Sequence, residues 1–381
     1  MTPRAPRGVP LALRFLAHRR LRTTVAASGI AFATLFMFVQ LGFYGAVTNT
    51  ALAVASRLDG ALVIVSPRFV HFAEPGAIER QRLFQALAVP GVARATPMYL
   101  GYTDWRSQGV AGTCRMFTIG VPLDEPLPLA AEPPDALTLL RRTNAVLVDR
   151  LTQTKCGPLD AGRGVEIRQQ PVRIAGTFDL GVGFLGDGAV LLSDDTYAAV
   201  FGARDAGPSI GVVTLQPDAD PGDVRRRLAA ALPSDVRVLT MAELRDVQLQ
   251  HWIRDTAAGN IFSLGTVAGF VVGFVVLYQI LSSDIRTQIA QYATMRAIGV
   301  ADRRLYGCVL GQASIFAVLA FVPAWMAAAA VFSVIRQSTR LPIAATVGNT
   351  TLVFGLTVVM CLSAAALSLR RLALADPADL F

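Results

Sequence analysis

The sequence predicts a membrane protein with four transmembrane α-helices and a large extracytoplasmic α/β domain inserted between helices 1 and 2. Of its 381 residues, 53% are hydrophobic and only 16% are charged. Soluble domains carry about a quarter charged residues, so this composition favours a membrane protein. Four windows contain no charged residue, and each exceeds the roughly 20 residues that cross a bilayer: 23–56, 256–283, 305–335 and 341–369.

Each window is expected to be helical, because backbone polar groups in lipid have to bond within their own segment. We expect membrane helices at 23–46, 259–281, 306–332 and 350–369. The remaining segments are a cytoplasmic amphipathic helix, an external α/β domain, a cytoplasmic segment, a short external loop and a cytoplasmic tail: 1–22, 47–255, 282–305, 333–349 and 370–381.

Arginine placement predicts the orientation. Six arginines precede helix 1, four lie between helices 2 and 3, and two follow helix 4, whereas the loop between helices 3 and 4 holds only Arg336 and Arg340. Because basic loops stay in the cytoplasm, both termini are expected there, in an inner (cytoplasmic) membrane. Signal-peptide cleavage at 53–55 is an alternative, but the apolar run far exceeds an h-region of about 7–15 residues.

The formal net charge of +8 does not indicate nucleic-acid binding. Between Ala46 and Thr256, acidic residues slightly outnumber basic ones, so the excess positive charge flanks the membrane spans. Basic residues at that position favour contact with the headgroups of the lipid bilayer.

The external domain shows alternating strand and helix patterns in the chain order. We expect helices at 77–88, 194–201 and 221–232, with Ser193-Asp194-Asp195 able to cap the second. Residues 241–257 are expected to continue as a helix into membrane helix 2, forming a rigid joint. Strands are expected at 61–66, 96–105, 114–121, 145–148, 164–179 (as a hairpin), 188–192 and 210–216.

Sites for catalysis, cofactors or metals are not predicted. Lys155 is the only lysine and follows Thr154, so the chain lacks the Gly-rich, Lys-containing phosphate loop of an ATPase. The histidines, at positions 18, 71 and 251, have neither the HExxH nor a CxxC-type ligand spacing. We expect His71 and His251 at the surface or at a domain joint. ATP and Mg²⁺ would therefore be bound by a partner.

Cysteines and glycines suggest two packing features. Cys114 and Cys156 both fall in the external domain, where disulfides persist, so they form either a disulfide or two buried thiols. In membrane helix 2, Gly265, Gly269 and Gly273 form a small-residue stripe that lets another helix approach closely. That helix belongs either to the same chain or to a second copy in a homodimer.

The segment between helices 2 and 3 is the most informative. It reads Ser283-Asp-Ile-Arg, then Gln291-Tyr-Ala-Thr-Met-Arg-Ala-Ile-Gly-Val300 and Asp302-Arg-Arg. This pattern resembles the cytoplasmic coupling segment of FtsX/MacB-type ABC transporter permeases, which docks on the ATPase. The resemblance implies coupling roles for Arg286, Ile289, Tyr292, Met295, Arg296, Ala297, Ile298 and Gly299. The alternative is a merely amphipathic cytoplasmic loop.

Both ends of the chain agree with this resemblance. The end, 370–381, is similar to the "DPAxxL" tail of that family, and the start, 29–43, is similar to the DevC-like branch. The resemblance implies a homodimeric permease subunit with a separate ABC ATPase and a periplasmic membrane-fusion (adaptor) protein, exporting a lipid-like or hydrophobic compound. The uncharged spans suit transmission of motion, because an ion-coupled carrier needs ionisable groups at depth.

Two other functions stay open from the sequence. One is an FtsX-like transmembrane signalling protein that activates a periplasmic cell-wall hydrolase without moving a substrate. The other is a membrane-anchored enzyme whose external domain is catalytic, and it predicts activity from the isolated 47–255 fragment.

Overall fold

The computed structural model describes residues 20–126, 128–129, 135–181, 183–202, 207–297 and 302–373. Apart from residues 20–22, the expected N-terminal amphipathic helix lies outside these ranges, as does most of the C-terminal tail. Contacts divide the chain into two compact units. The membrane unit comprises 1–44, 261–334 and 344–381, and the external unit comprises 45–260 and 335–343.

The membrane unit is built from four long helices: α1 (Arg20–Leu52), α7 (Ala257–Ala297), α8 (Asp302–Thr339) and α9 (Val347–Ala373). Among the described residues, each has a stretch long and apolar enough to cross a membrane: Thr23–Leu52, Ala257–Ser283, Val309–Thr339 and Val347–Leu369. Small and aliphatic side chains fill their shared core, including Ala26, Ile30, Leu277, Ala313 and Ala364. The small residues let these helices approach closely.

Within the described residues, the external unit has nine strands: β1 (Leu62–Val65), β2 (Val92–Ser107), β3 (Cys114–Val121), β4 (Ala145–Asp149), β5 (Gly164–Ile167), β6 (Gln170–Phe178), β7 (Gly188–Ser193), β8 (Ile210–Leu215) and β9 (Arg237–Thr240). Its helices are α2 (Arg80–Leu87), α3 (Ala136–Leu140), α4 (Asp194–Phe201), α5 (Pro221–Ala231) and α6 (Met241–Leu249). The Ser193 hydroxyl accepts a hydrogen bond from the Thr196 amide at 3.1 Å, which caps α4 as expected.

One half of the external unit is a split β-α-β arrangement. The chain order β1-α2-β2, then β8-α5-β9, gives the strand order β2-β8-β1-β9. Leu83 of α2 and Leu228 of α5 pack on Ile64 and Val213 of the sheet. The edge strand β9 is not among the strands expected from the sequence, because its residues, Arg-Val-Leu-Thr, neither alternate nor form a continuous apolar run.

The other half is a closed barrel. β2 continues past its β8 pairing to pair with β3 and β5, and the ring β2-β3-β7-β4-β6-β5 closes on itself. All six strands place apolar side chains in one core, for example Trp105, Met116, Val148, Ile167 and Ile174. Each of the six described strands of the ring is paired on both sides, which removes the exposed edges of an open sheet. The predicted fold class, four membrane helices with an α/β domain between the first two, is confirmed.

Candidate functional site

The residues with predicted coupling roles lie at the end of the longest helix. α7 runs unbroken over 41 residues from Ala257 to Ala297. Its last turns contain Arg286, Ile289, Tyr292, Met295, Arg296 and Ala297, of which only the backbone is described. Ile298 and Gly299 lie outside the described residues. The expected cytoplasmic segment, 282–305, is therefore a direct continuation of membrane helix 2 as far as Ala297.

The helix expected to join the external domain to membrane helix 2 is interrupted, so the prediction of one rigid helix through 241–257 is wrong. α6 ends at Leu249 and is followed by a π-helical turn, Gln250–Asp255, and Thr256 is extended, with φ −92° and ψ 155°. The Thr256 amide bonds to the His251 carbonyl at 3.1 Å, and its hydroxyl to the Trp252 carbonyl at 2.6 Å. The first bond spans five residues and is the last bond of the π-helical turn, whereas the second occupies a carbonyl that would otherwise accept from a following backbone amide.

Just after this interruption, the backbone at Gly259 passes close to the backbone of Ile253. A Cβ at this position would collide with the backbone carbonyl of Ile253, so only glycine fits. We call residues 250–259 the joint. The extended Thr256 within it is where the helical backbone is interrupted.

Two histidines stack at the joint. The rings of His71 and His251 lie 4.2 Å apart between centroids, with an interplanar angle of 24°. The Ala73 amide donates to His71 Nδ1 at 3.1 Å, which orients the His71 ring. Burial and the neighbouring charge of His251 lower the pKa of His71, and Glu74 opposes this shift. The prediction that both histidines lie at a joint agrees with this arrangement, although His71 is buried rather than at the surface.

The glycine stripe of α7 is filled from within the chain. A Cβ at Gly265 would collide with the Gln40 amide, and one at Gly269 would lie 3.0 Å from Met37 Cγ. A Cβ at Gly273 would collide with the Met360 sulfur. Of the two alternatives for the stripe, the structure contains intramolecular packing against α1 and α9.

Cys114 and Cys156 form a disulfide at one end of the barrel core. The Trp105 indole N–H donates to the Cys156 carbonyl at 3.2 Å. Asp187 lies beside the sulfurs, but it pairs with Lys155 Nζ at 2.7 Å and accepts from the Arg115 amide at 3.0 Å. Because both sulfurs are bonded and the carboxylate is occupied, these three residues do not suit a metal ion.

Sequence reasoning missed Gly259 and Thr256. A single glycine at the start of an apolar run indicates a close backbone approach, and a β-branched Thr before it is compatible with extended backbone. Those patterns are common, so they identify a joint only once the tertiary contacts are known.

These features define a multi-pass membrane protein that carries an extracytoplasmic α/β domain between its first two membrane helices. Residues 23–231 match the family model described as the MacB-like periplasmic core domain, and residues 263–377 match the FtsX-like permease C-terminal model. The first match alone covers more than half of the chain. The chain therefore belongs to the FtsX/MacB-type permease family. In this family the chain is a permease component of an ABC system, normally without catalytic activity, and a partner subunit supplies the ATPase.

Solved structures give weaker likenesses. The periplasmic region of MacB from Actinobacillus actinomycetemcomitans is 10% identical, with 51% of this chain and 94% of that chain covered and a TM-score of 0.36. The extracellular domain of the noncanonic ABC-type transporter YknZ from Gram-positive bacteria is 14% identical, with 48% and 100% covered and a TM-score of 0.36. Comparison with curated proteins gave no match.

Proposed function

We propose that this chain is the permease subunit of an ABC exporter of the mechanotransmission type, and that α7 carries motion from a cytoplasmic ATPase towards the external domain. The single observation that supports this most is the continuity of α7. Its 41 residues correspond to about 61 Å at 1.5 Å per residue, about twice the 30 Å of the hydrocarbon layer. A helix of this length links a docking segment to the far side of the membrane without an intervening loop.

The membrane spans support movement of helices over passage of a charged substrate. The polar contacts described between spans are uncharged, such as Thr34 with Thr357 at 3.4 Å and Ser282 with Ser368 at 3.3 Å between their hydroxyl oxygens. Such pairs hold helices together at low cost in lipid. An apolar, lipid-like compound handled by the external domain and a periplasmic adaptor protein is the cargo class that fits these spans.

Dimerisation is part of the proposal. The glycine stripe is occupied within the chain, so a second copy would use another surface. α7 leaves Val267, Val271 and Val275 exposed at a spacing of four residues, on the side of the helix opposite the stripe. This ridge is the surface we propose for contact between copies. The proposal also places the four spans in the inner membrane and both termini in the cytoplasm.

The test introduces acidic side chains into the coupling segment. We expect Arg296→Glu and Met295→Asp each to reduce co-purification of the ATPase with the full-length permease at least tenfold. In each variant an acidic side chain would replace a docking contact. Arg336→Glu, the same change of charge in the last turn of α8, is the matched control and should leave co-purification unchanged.

Two outcomes would refute the proposal. One is unchanged ATPase binding by both coupling variants while Arg336→Glu is also unchanged. The other is labelling by a membrane-impermeant maleimide of both Tyr292→Cys and Gln108→Cys from the same side of the membrane, because the coupling segment and the external domain would then share a compartment.

A further inference from the structure

Two exposed apolar side chains lie on neighbouring loops of the external unit. Leu151 follows β4 and Phe184 follows β6, and each is 40% exposed. Large apolar side chains exposed on a folded domain often mark a contact with a partner or a membrane. Their common surroundings indicate which of these applies.

A buried carboxylate holds the two loops side by side. Asp149 is fully buried and accepts backbone amide hydrogen bonds from Leu151 at 3.1 Å, Leu180 at 3.2 Å and Gly181 at 2.8 Å. A Cβ at Gly181 would lie 3.2 Å from Leu151 Cδ1, so the Leu151 side chain covers the second loop directly. Three amide bonds to one buried carboxyl group fix both loops in one arrangement.

The second loop is attached to the end of α1. The Phe184 amide donates to Thr50 Oγ1 at 3.3 Å, and Gly183, with φ +53°, leaves room for Thr50 and Pro342. The Asn49 amide group donates to the Pro342 carbonyl at 3.3 Å, which brings the loop before α9 to the same place. Phe184 therefore lies beside the last turn of a membrane-spanning helix.

The length of α1 indicates the depth in the bilayer at which this contact lies. The 28 residues from Thr23 to Thr50 rise about 40 Å, compared with about 30 Å for the hydrocarbon layer and about 40–45 Å including the headgroups. A span that enters the bilayer near Thr23 places Thr50 at the opposite headgroup layer. Next to these loops, Arg150 and Asp179 form an exposed ion pair at 3.2 Å, a charged rim suited to headgroups.

We propose that Leu151 and Phe184 form a lip that inserts into the outer surface of the lipid bilayer, with phospholipid at the boundary between headgroups and acyl chains as its ligand. Two side chains are too small for a stable interface with a second copy, which needs about 800 Å² on each partner. An apolar pair with a charged rim, continuous with a membrane helix, matches the surface of a bilayer. The inference rests on the membrane assignment of α1 and is independent of ATPase coupling.

The test uses photo-crosslinking in the full-length chain. The amino acid p-benzoylphenylalanine replaces Phe184, Leu151 or, as the matched control, Phe84, which is 65% exposed on α2. Each protein is reconstituted in vesicles of phosphatidylethanolamine and phosphatidylglycerol, irradiated, digested and measured by mass spectrometry. We expect phospholipid adducts at positions 184 and 151 at least tenfold above those at position 84.

Equal adduct yields at positions 84 and 184 would overturn the proposal, as would crosslinking from position 184 to a second copy of the chain in place of lipid. A second measurement avoids dependence on the photochemistry. The added fluorescence of Phe184→Trp should be quenched by acyl-brominated lipid, whereas that of Phe84→Trp should not. Equal quenching of the two would also contradict the lip. Oxidised Cys114 and Cys156 on a non-reducing gel verify that each variant has folded.

Discussion

Removal of the disulfide is expected to destabilise the external unit strongly. Cys114 and Cys156 are 42 residues apart, and closing a loop of that length restricts the unfolded chain by about 4 kcal/mol at 25 °C on the chain-entropy model. In a unit of roughly 200 residues, each kcal/mol shifts the midpoint by about 2–4 °C. Cys114→Ala with Cys156→Ala should therefore lower the thermal midpoint by roughly 8–16 °C.

Trp105 reports this transition directly. Its side chain is 1% exposed and its indole N–H bonds to the Cys156 carbonyl, so unfolding of the barrel moves the ring into water. The assay follows its emission in a Trp252→Phe, Trp325→Phe background while the full-length protein is heated in detergent. Cys361→Ala, which removes a buried free thiol from α9, is the control and should not move the barrel transition.

A shift below about 3 °C would refute the reasoning, because the unfolded chain would then gain too little freedom to account for the loop-closure entropy. Equal shifts in the double variant and in Cys361→Ala would also refute it. In that case the effect would come from losing a thiol in any core, and the barrel crosslink would have no special role.

The joint and its histidines give two further predictions. Gly259→Val should destabilise the joint by about 1–3 kcal/mol and increase protease cleavage there, because the valine side chain would collide with the Ile253 carbonyl. The control is Gly355→Val, where the space around the glycine is open. Equal cleavage of the two variants would contradict the prediction. Because the pKa of His71 is lowered in the folded state, the unfolded chain binds the proton first as pH falls, so stability should be full above about pH 6.5 and decrease below it. His251→Gln should weaken this decrease in thermal midpoints measured across that range, and a pH dependence unchanged by His71→Phe would show that another group is responsible.

Many elements of the fold follow from local pattern. Runs without charge have to become helices in lipid, and strands such as 114–121 alternate or are continuously apolar within short bounds. The Ser193 cap needs only its own neighbours, because the hydroxyl bonds an amide three residues ahead. The coupling segment is recognisable for the same reason: its residues are close together in the chain.

The sequence by itself determined the four spans, the large external domain between the first two of them and the family pattern between helices 2 and 3. Only the tertiary structure decided that six strands close into a barrel, that α1 and α9 fill the glycine stripe, and that the helix breaks at Thr256. Barrel closure pairs β2 with β3 and β5, and Asp149 binds amides 31 and 32 residues away. Hydropathy and periodicity describe how a residue relates to its near neighbours, and these contacts depend on partners that are distant in the chain.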